Sequence, residues 1–487
     1  KLRRMVIFLK IELYAYCLMT KILSLLVLFL FLSSCSINPV TGNPDFVLIS
    51  EEQEISLGRN VAKQVLQQER KYEDESLQRY IQELGDDLTK RSHRPNLIYR
   101  FIVLDNPAVN AFALPGGHIF IYRGLLAHFN SEEELAAVLA HEIGHVTARH
   151  SVRQYSQSQA TQILTTIIGQ EYGSTAADLS YLMGGALISG YGRDMELEAD
   201  GLAVQYSSIS GYSGNGMMNA LRVLKAQEEY SVEVSKRRGV STQTYHGVFA
   251  THPENDKRLK EVVKQNEIFT NEASKEDRLF SFLNGLVYGD SSREGVRRGN
   301  NFYHADLGIF LSAPRKWEMI NNKNNLLFIS PNGKAQVKVS MDDQSRVETP
   351  KQYLQRITNQ KIQNGKTISS SGYEGYSATV KFRGKDALVA VIFRKKEIFL
   401  FTSRSEDLQI SNFVNEFNSI ISSFRDLKRN ELKLAESLKI KIYKVKKGDT
   451  YSSLSDKSPI SYDPESKLRL LNGDYPDGKL LPGRLIK

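Results

Sequence analysis

Apolar residues first settle into helical spacing after Ser50. Ile55, Val61, Val65 and Leu66 make one stretch and Leu77, Ile81, Leu84 and Leu88 a second. Ser50 stands where a cap belongs, Glu51 and Glu52 suit the positive end of a helix, and Gln53 closes a capping box. Helices are therefore predicted across 50–92. Residues 99–104 read as a strand ending in the turn Asp105-Asn106-Pro107. Residues 110–114 and 118–122, joined by Pro115-Gly116-Gly117, read as a hairpin. Ser131-Glu132-Glu133-Glu134 opens a helix that carries Leu135, Val138 and Leu139 inward and runs to about residue 150.

Residues 151–190 are rich in Ser, Gln, Gly and Ala. They predict a helix, a mobile connection and a small-residue helix around 182–186. A helix is predicted at 193–210, a loop at 227–250 and a helix at 253–269. After about 290 the pattern turns strand-like at 302–317, 326–330, 335–341, 376–382, 387–394 and 398–402. Helices are predicted at 353–357 and 413–424. This predicts an α+β unit with an antiparallel sheet, followed by a small unit from about 440. No repeat of 20–50 residues is visible.

Composition adds little beyond globularity. The chain has 487 residues, 41% hydrophobic and 24% charged, which excludes a largely disordered chain. The net charge is +9. Lys1, Arg3, Arg4, Lys10 and Lys21 against Glu12 account for much of it, and no basic stripe with interleaved aromatics follows, so nucleic-acid binding is not expected. From Met19, the expected true start, the chain reads Met19-Thr20-Lys21, an apolar run over 22–32, then Ser33-Ser34-Cys35. That order predicts a signal peptide over 1–34. Leu32-Ser33-Ser34-Cys35 resembles a bacterial lipobox, which implies acylation of Cys35 and lipid anchoring. Ser36 after the cysteine points to the outer membrane. With Cys17 removed, no disulfide is expected.

The chemistry concentrates at His141-Glu142-Ile143-Gly144-His145. Residues i and i+4 of a helix share a face, so both imidazoles can reach one metal ion. Glu142, one step round, is placed to act as general base on a water. Hydrolytic zinc takes three protein ligands and an open position. The candidate third ligand lies in Arg193-Asp194-Met195-Glu196-Leu197-Glu198-Ala199-Asp200. Glu196 and Asp200 share a face, and Glu198 points about 200° from Glu196. Glu196 is thus the candidate ligand and Asp200 the carboxylate that orients a histidine ring. His93, His118, His128, His150 and His304 read as surface or packing residues, with His118 set apart because it follows the turn of the hairpin.

The motif at 141–145, Glu196-Leu197-Glu198-Ala199-Asp200, the stretch from Asn110 to Gly117 and the early Asn38-Pro39-Val40-Thr41-Gly42 together resemble zinc metallopeptidase family forty-eight over roughly 38–270. That family groups CAAX-protease, HtpX-type and periplasmic BepA-type enzymes. The resemblance implies a gluzincin-like, mainly helical fold with a small sheet. It implies one Zn²⁺ on His141, His145 and Glu196, with Glu142 as base. It further implies that Asn110, Ala111 and Phe112 belong to an edge strand that pairs with an extended substrate. In BepA-type members a histidine in Thr-His-Pro caps the zinc and holds the enzyme latent. Thr251-His252-Pro253 matches that segment, so His252 is either a fourth ligand and switch or a helix-start residue. Spacing alone does not choose it over His246. The helical repeats of BepA-type proteins have no counterpart here.

The organisation predicted is α+β and multidomain: a protease domain at 35–270, a linker at 271–298, an α+β domain at 299–427 that loosely resembles the PsbP and Mog-type fold, and a unit at 440–487. Tyr443 to Thr450, Leu468 to Gly473 and Leu481-Pro482-Gly483 make that last unit resemble LysM, with Ser458-Pro459 and Asp463-Pro464 disrupting its first helix. A LysM module implies N-acetylglucosamine-containing glycans, here peptidoglycan. The leading expectation is a periplasmic, lipid-anchored zinc endopeptidase, on the inner leaflet of the outer membrane, acting on misfolded or stalled envelope proteins. The other is a latent protein that mainly binds, chaperone-like, in envelope assembly or wall attachment.

Overall fold

The structure is a computed structural model that describes residues 35–167, 190–238, 258, 260–262, 277–362, 364–382, 384–405 and 410–487. The predicted signal segment 1–34, the connection and small-residue helix expected within 168–189, His246 and Thr251-His252-Pro253 lie outside the described residues. Of the helix predicted at 253–269, residues 258 and 260–262 are described and helical.

Polar capping and buried apolar faces build the N-terminal unit. Cys35–Ile37 (β1) pairs antiparallel with Pro44–Phe46 (β2). Buried Asn38 holds the connection by accepting from the Val40 and Thr41 amides and donating to Asp45. Glu51–Gln68 (α1) starts with the predicted capping box between Ser50 and Gln53, and Glu75–Thr89 (α2) starts on Asp74. Helix α2 buries Leu77, Tyr80, Ile81, Leu84 and Leu88. Arg100–Leu104 (β3), Ala111–Leu114 (β4) and His118–Tyr122 (β5) form a sheet in the order β3-β5-β4, with β3 parallel and β4 antiparallel to β5. The hairpin turn holds Gly116 at φ +74° and Gly117 at φ +90°, which favours glycine. A Cβ on Gly116 would also stand 2.8 Å from the Ile55 Cα, because α1 lies against the turn.

Glu132–Thr147 (α3), capped by Ser131, runs through the centre of the unit and is buried along almost its whole length. A helix buried all round needs neighbours on every side. They are α2 and β4, together with His150–Ile167 (α4), Arg193–Ile209 (α5) and Asn215–Arg238 (α6). Helix α6 overrides the loop predicted from 227, at least to 238. Its polar end is held from outside: Arg237 binds Asp463 and Glu233 accepts from Tyr475.

The second unit holds two sheets. Val296–Arg298 (β6), Asn301–His304 (β7) and Ile309–Ser312 (β8) join residues 425–426 in one. The single strand predicted at 302–317 is two strands, β7 and β8, turned at Gly308, which sits at φ +62°. The other sheet is fully antiparallel. It comprises Glu318–Asn322 (β9), Asn325–Ile329 (β10), Ala335–Asp343 (β11), Gly365–Ser370 (β12), Tyr373–Phe382 (β13), Lys385–Arg394 (β14) and Glu397–Ser405 (β15), in the order β9-β10-β11-β15-β14-β13-β12. Edge strands β9 and β12 were not predicted, being polar and lacking a buried alternation. Pro350–Thr358 (α7) covers one face with Tyr353 and Leu354, and Val414–Ser423 (α8) buries Phe417, Ile420 and Ile421 in the other core.

At the C-terminal end, Tyr443–Lys444 (β16) pairs antiparallel with Leu485–Ile486 (β17) around Tyr451–Ser455 (α9) and Pro464–Leu471 (α10). Pro464, expected to disrupt a helix, instead opens α10 at its first turn, where a missing N–H costs nothing. The unit docks on the first one. Lys487 Nζ is buried and donates to the Ala127 and Phe129 carbonyls, just ahead of α3, at 2.8 and 2.6 Å.

Candidate metal centre

Helices α3 and α5 bring the two sequence motifs together. His141 and His145 sit one turn apart on α3, and their Nε2 atoms lie 3.0 Å from each other. Glu196, in the first turn of α5, places its carboxylate oxygens 3.6 Å from His141 Nε2 and 3.5 Å from His145 Nε2. One ligand atom from each residue falls within 4.8 Å of the others. The helices approach this closely because residue 144 is glycine: a Cβ there would lie 3.2 Å from Leu202 Cβ and 3.3 Å from both the Cα and the O of Ala199.

Two imidazole nitrogens and a carboxylate oxygen are the donor set of a hydrolytic Zn²⁺ site with open coordination positions. The outer ring nitrogens support the same fit. His141 Nδ1 lies 3.0 Å from Asp200 Oδ1, and a proton held there leaves the Nε2 lone pair facing the other donors. Without a metal, burial opposes protonation of His141, but bonding to Asp200 and Glu196 prevails and raises its pKa to about 9. The three donor residues and Glu142 are each no more than 4% exposed. The Tyr191 ring stacks on His145 at 4.1 Å, and its hydroxyl lies 2.6 Å from Ser151 Oγ.

Among the described residues β4 pairs only with β5 and is an edge, and Ala113, Leu114 and Pro115 border the same narrow crevice as His145. Ala111 and Phe112 lie in β4; Asn110 lies just before it and its carbonyl accepts from the Tyr122 amide. The Phe112 ring stacks against Phe120 at 5.1 Å.

Three residues that contact the site are not singled out by the sequence. Arg258 is buried and donates twice to Asp200, at 2.8 and 2.6 Å, while its Nη1 lies 3.2 Å from Glu196. It compensates the acidic pair, and a lone arginine about sixty residues away carries no local signal. His150, expected to be a surface or packing residue, is buried and faces His145; Glu198, expected to face away, reaches His150. The only available signal was a further histidine five residues after the motif, a spacing that no single helix brings into contact. Of the other histidines, His128 is buried against Gln227 and His93 contacts the Tyr206 hydroxyl.

Comparison with known proteins agrees with this geometry. Residues 75–266 match the model of peptidase family M48. The chain is 30% identical over 266 residues to the beta-barrel assembly-enhancing protease of Yersinia pestis, covering 52% of each chain. It is 29% identical over 212 residues to the protein of that name in Escherichia coli K12, covering 41% of this chain and 43% of the relative. It is 31% identical over 176 residues to the mitochondrial metalloendopeptidase OMA1 of Arabidopsis thaliana, covering 36% of this chain and 33% of the relative. The matches thus span about half or less of these relatives. No helix among the described residues is long and apolar enough to cross a membrane.

Proposed function

From the match to peptidase family M48 over residues 75–266, we propose that the chain is a zinc-dependent endopeptidase of the bacterial periplasm. The observation that carries this reading is the convergence of His141, His145 and Glu196, with Glu142 in the same helix turn. Bound by those three residues, Zn²⁺ supplies Lewis-acid chemistry, polarising a carbonyl and making water acidic enough to ionise near neutral pH. Glu142 takes the proton of the attacking water and returns it to the leaving nitrogen. Asp200 fixes the His141 ring, and Arg258 fixes Asp200. The edge strand from Ala111, with Asn110 at its start, holds an extended polypeptide by backbone pairing.

The substrates in this reading are misfolded or stalled envelope proteins; the Yersinia pestis relative is named a beta-barrel assembly-enhancing protease. Cys35 carries the lipid that anchors the chain to the inner leaflet of the outer membrane. Residues 299–427 act as a PsbP- or Mog-like spacer, and the LysM-like unit at 440–487 contacts peptidoglycan. A second reading keeps the chain latent and mainly binding its clients, with His252 as the switch.

The test is cleavage of unfolded casein. Glu142→Gln keeps stoichiometric zinc and loses turnover; cleavage at the wild-type rate by that variant refutes the mechanism. A rise in cleavage for His252→Ala identifies an autoinhibited enzyme, whereas no cleavage by either protein supports the binding role. Labelled palmitate incorporation that survives Cys35→Ala refutes the anchor. Equal retention on peptidoglycan of the full chain and a chain ending at 439 refutes the glycan contact.

A further inference from the structure

The two histidine ligands are held by different devices. His141 leans directly on the carboxylate of Asp200. The Nδ1 of His145 faces instead the Nδ1 of His150, at 2.7 Å. On the far side of that second ring, His150 Nε2 lies 3.1 Å from Glu198 Oε2. Arg153 donates to the same oxygen at 2.8 Å. His150 has no exposed surface.

One placement of protons satisfies this line when His145 Nε2 is a ligand. That nitrogen must be bare, so the His145 proton sits on Nδ1 and is donated to His150. His150 Nδ1 must then accept, which puts its own proton on Nε2, facing ionised Glu198. With the Glu198 acceptor removed, His150 is free to carry its proton on Nδ1, and His145 is turned toward the tautomer whose Nε2 is blocked.

The backbone is bent to make this contact. Helix α3 ends at Thr147, and Arg149 adopts φ +54°, a left-handed conformation unusual for a residue with a side chain, before α4 begins at His150. Arg149 is held there by donating to Glu54 at 2.8 Å and to the Ile49 carbonyl at 3.3 Å. The turn folds a residue five positions past His145 back against its ring.

We propose that His150 and Glu198 are positioning residues for the metal site, fixing the tautomer and ring angle of His145 through a histidine–carboxylate pair. The line continues outward: Arg153 also contacts Asp45, 3.4 Å away, and Asp45 accepts from Asn38 in the β1–β2 hairpin. The N-terminal segment is thereby joined to the metal ligand through side chains alone. The inference rests on His145 being a ligand.

The test measures zinc affinity of the full chain by competition with a chelator, with the visible spectrum of the Co²⁺-loaded protein as a second readout. His150→Phe keeps the ring and removes both nitrogens; Glu198→Gln keeps the shape and removes the charge. Each is expected to weaken zinc binding about 10- to 100-fold, the range for losing a ligand-orienting partner, and to shift the Co²⁺ bands. His150→Asn, which can still accept from His145, is expected to recover part of the affinity. Should His150→Phe fail to fold, the isosteric Glu198→Gln decides. Folded variants with wild-type zinc affinity and an unchanged Co²⁺ spectrum overturn the proposal. If His145→Ala also leaves zinc binding intact, the ligand assignment itself has failed.

Discussion

Gly144 is the point at which packing and chemistry can be separated. A methyl group there enters a gap of 3.2–3.3 Å to Leu202 and Ala199, tighter than an ordinary contact, and two of the three atoms it meets are Ala199 backbone. Backbone of α5 cannot turn aside as a side chain can, so relief requires α5 to move away by a few tenths of an ångström. Gly144→Ala gains about 1 kcal/mol of helix propensity and incurs overpacking of about 1–3 kcal/mol. The net destabilisation is thus between about 0 and 2 kcal/mol, a fall in Tm of several degrees at most for a domain of this size. The metal site is affected more. Glu196 lies one turn before Ala199 on the helix that moves, and metal–ligand distances tolerate only about 0.2 Å. Zinc affinity should drop about tenfold in Gly144→Ala, comparable to losing an orienting partner. It should drop further in Gly144→Val, whose branched side chain adds two more methyl groups. Thermal melts of the metal-free proteins and chelator competition of the loaded ones measure the two effects separately. A folded Gly144→Val with wild-type zinc affinity would refute the idea that close helix approach sets the third ligand.

Removing the Arg258 guanidinium leaves Asp200 and Glu196 buried without their cation. Arg258→Ala should cost about 3–5 kcal/mol in urea unfolding of the metal-free protein, and Arg258→Lys should restore only part because it cannot bond Asp200 with two parallel donors. Unchanged unfolding midpoints for Arg258→Ala would contradict this. Glu132 accepts from the Tyr80 and Tyr212 hydroxyls at the start of α3; Glu132→Ala leaves both without it and should lower stability by about 2 kcal/mol or more, read in the same assay. Burial, with Lys487 nearby, pushes the His128 pKa down to about 3. The unfolded chain then binds a proton near pH 6.5 that the folded one refuses until about pH 3. Stability should therefore fall on acidification through that window by up to about 1.4 kcal/mol per pH unit. His128→Phe should flatten that slope; an unchanged slope would place the titrating group elsewhere.

Local rules carried the sequence reading a long way. The Ser50 capping box, the turn at Pro115-Gly116-Gly117 and the start of α3 at Ser131 are determined by residues adjacent in the chain, so they were legible. The His141/His145 pair was legible for the same reason, since one helix turn places both rings. Other features depend on contacts between distant segments. The polar second half of α6 looks like a loop until Asp463 and Tyr475 reach it, and β9 and β12 become strands only because a neighbouring strand pairs with them.

Helical periodicity fixes which residues share a face, so residues 141–145 alone place two imidazoles and a carboxylate on one helix, and residues 193–200 offer an acidic helix to complete the set. How the set closes is a matter of packing between distant segments. The α3–α5 approach over Gly144 brings Glu196 to the histidines, the left-handed turn at Arg149 sets His150 against His145, Glu198 reaches His150, and Arg258 reaches Asp200 and Glu196. Helical geometry relates residues a few positions apart, but contact between separate helices depends on which side chains are small enough to let them meet, and that depends on both partners at once.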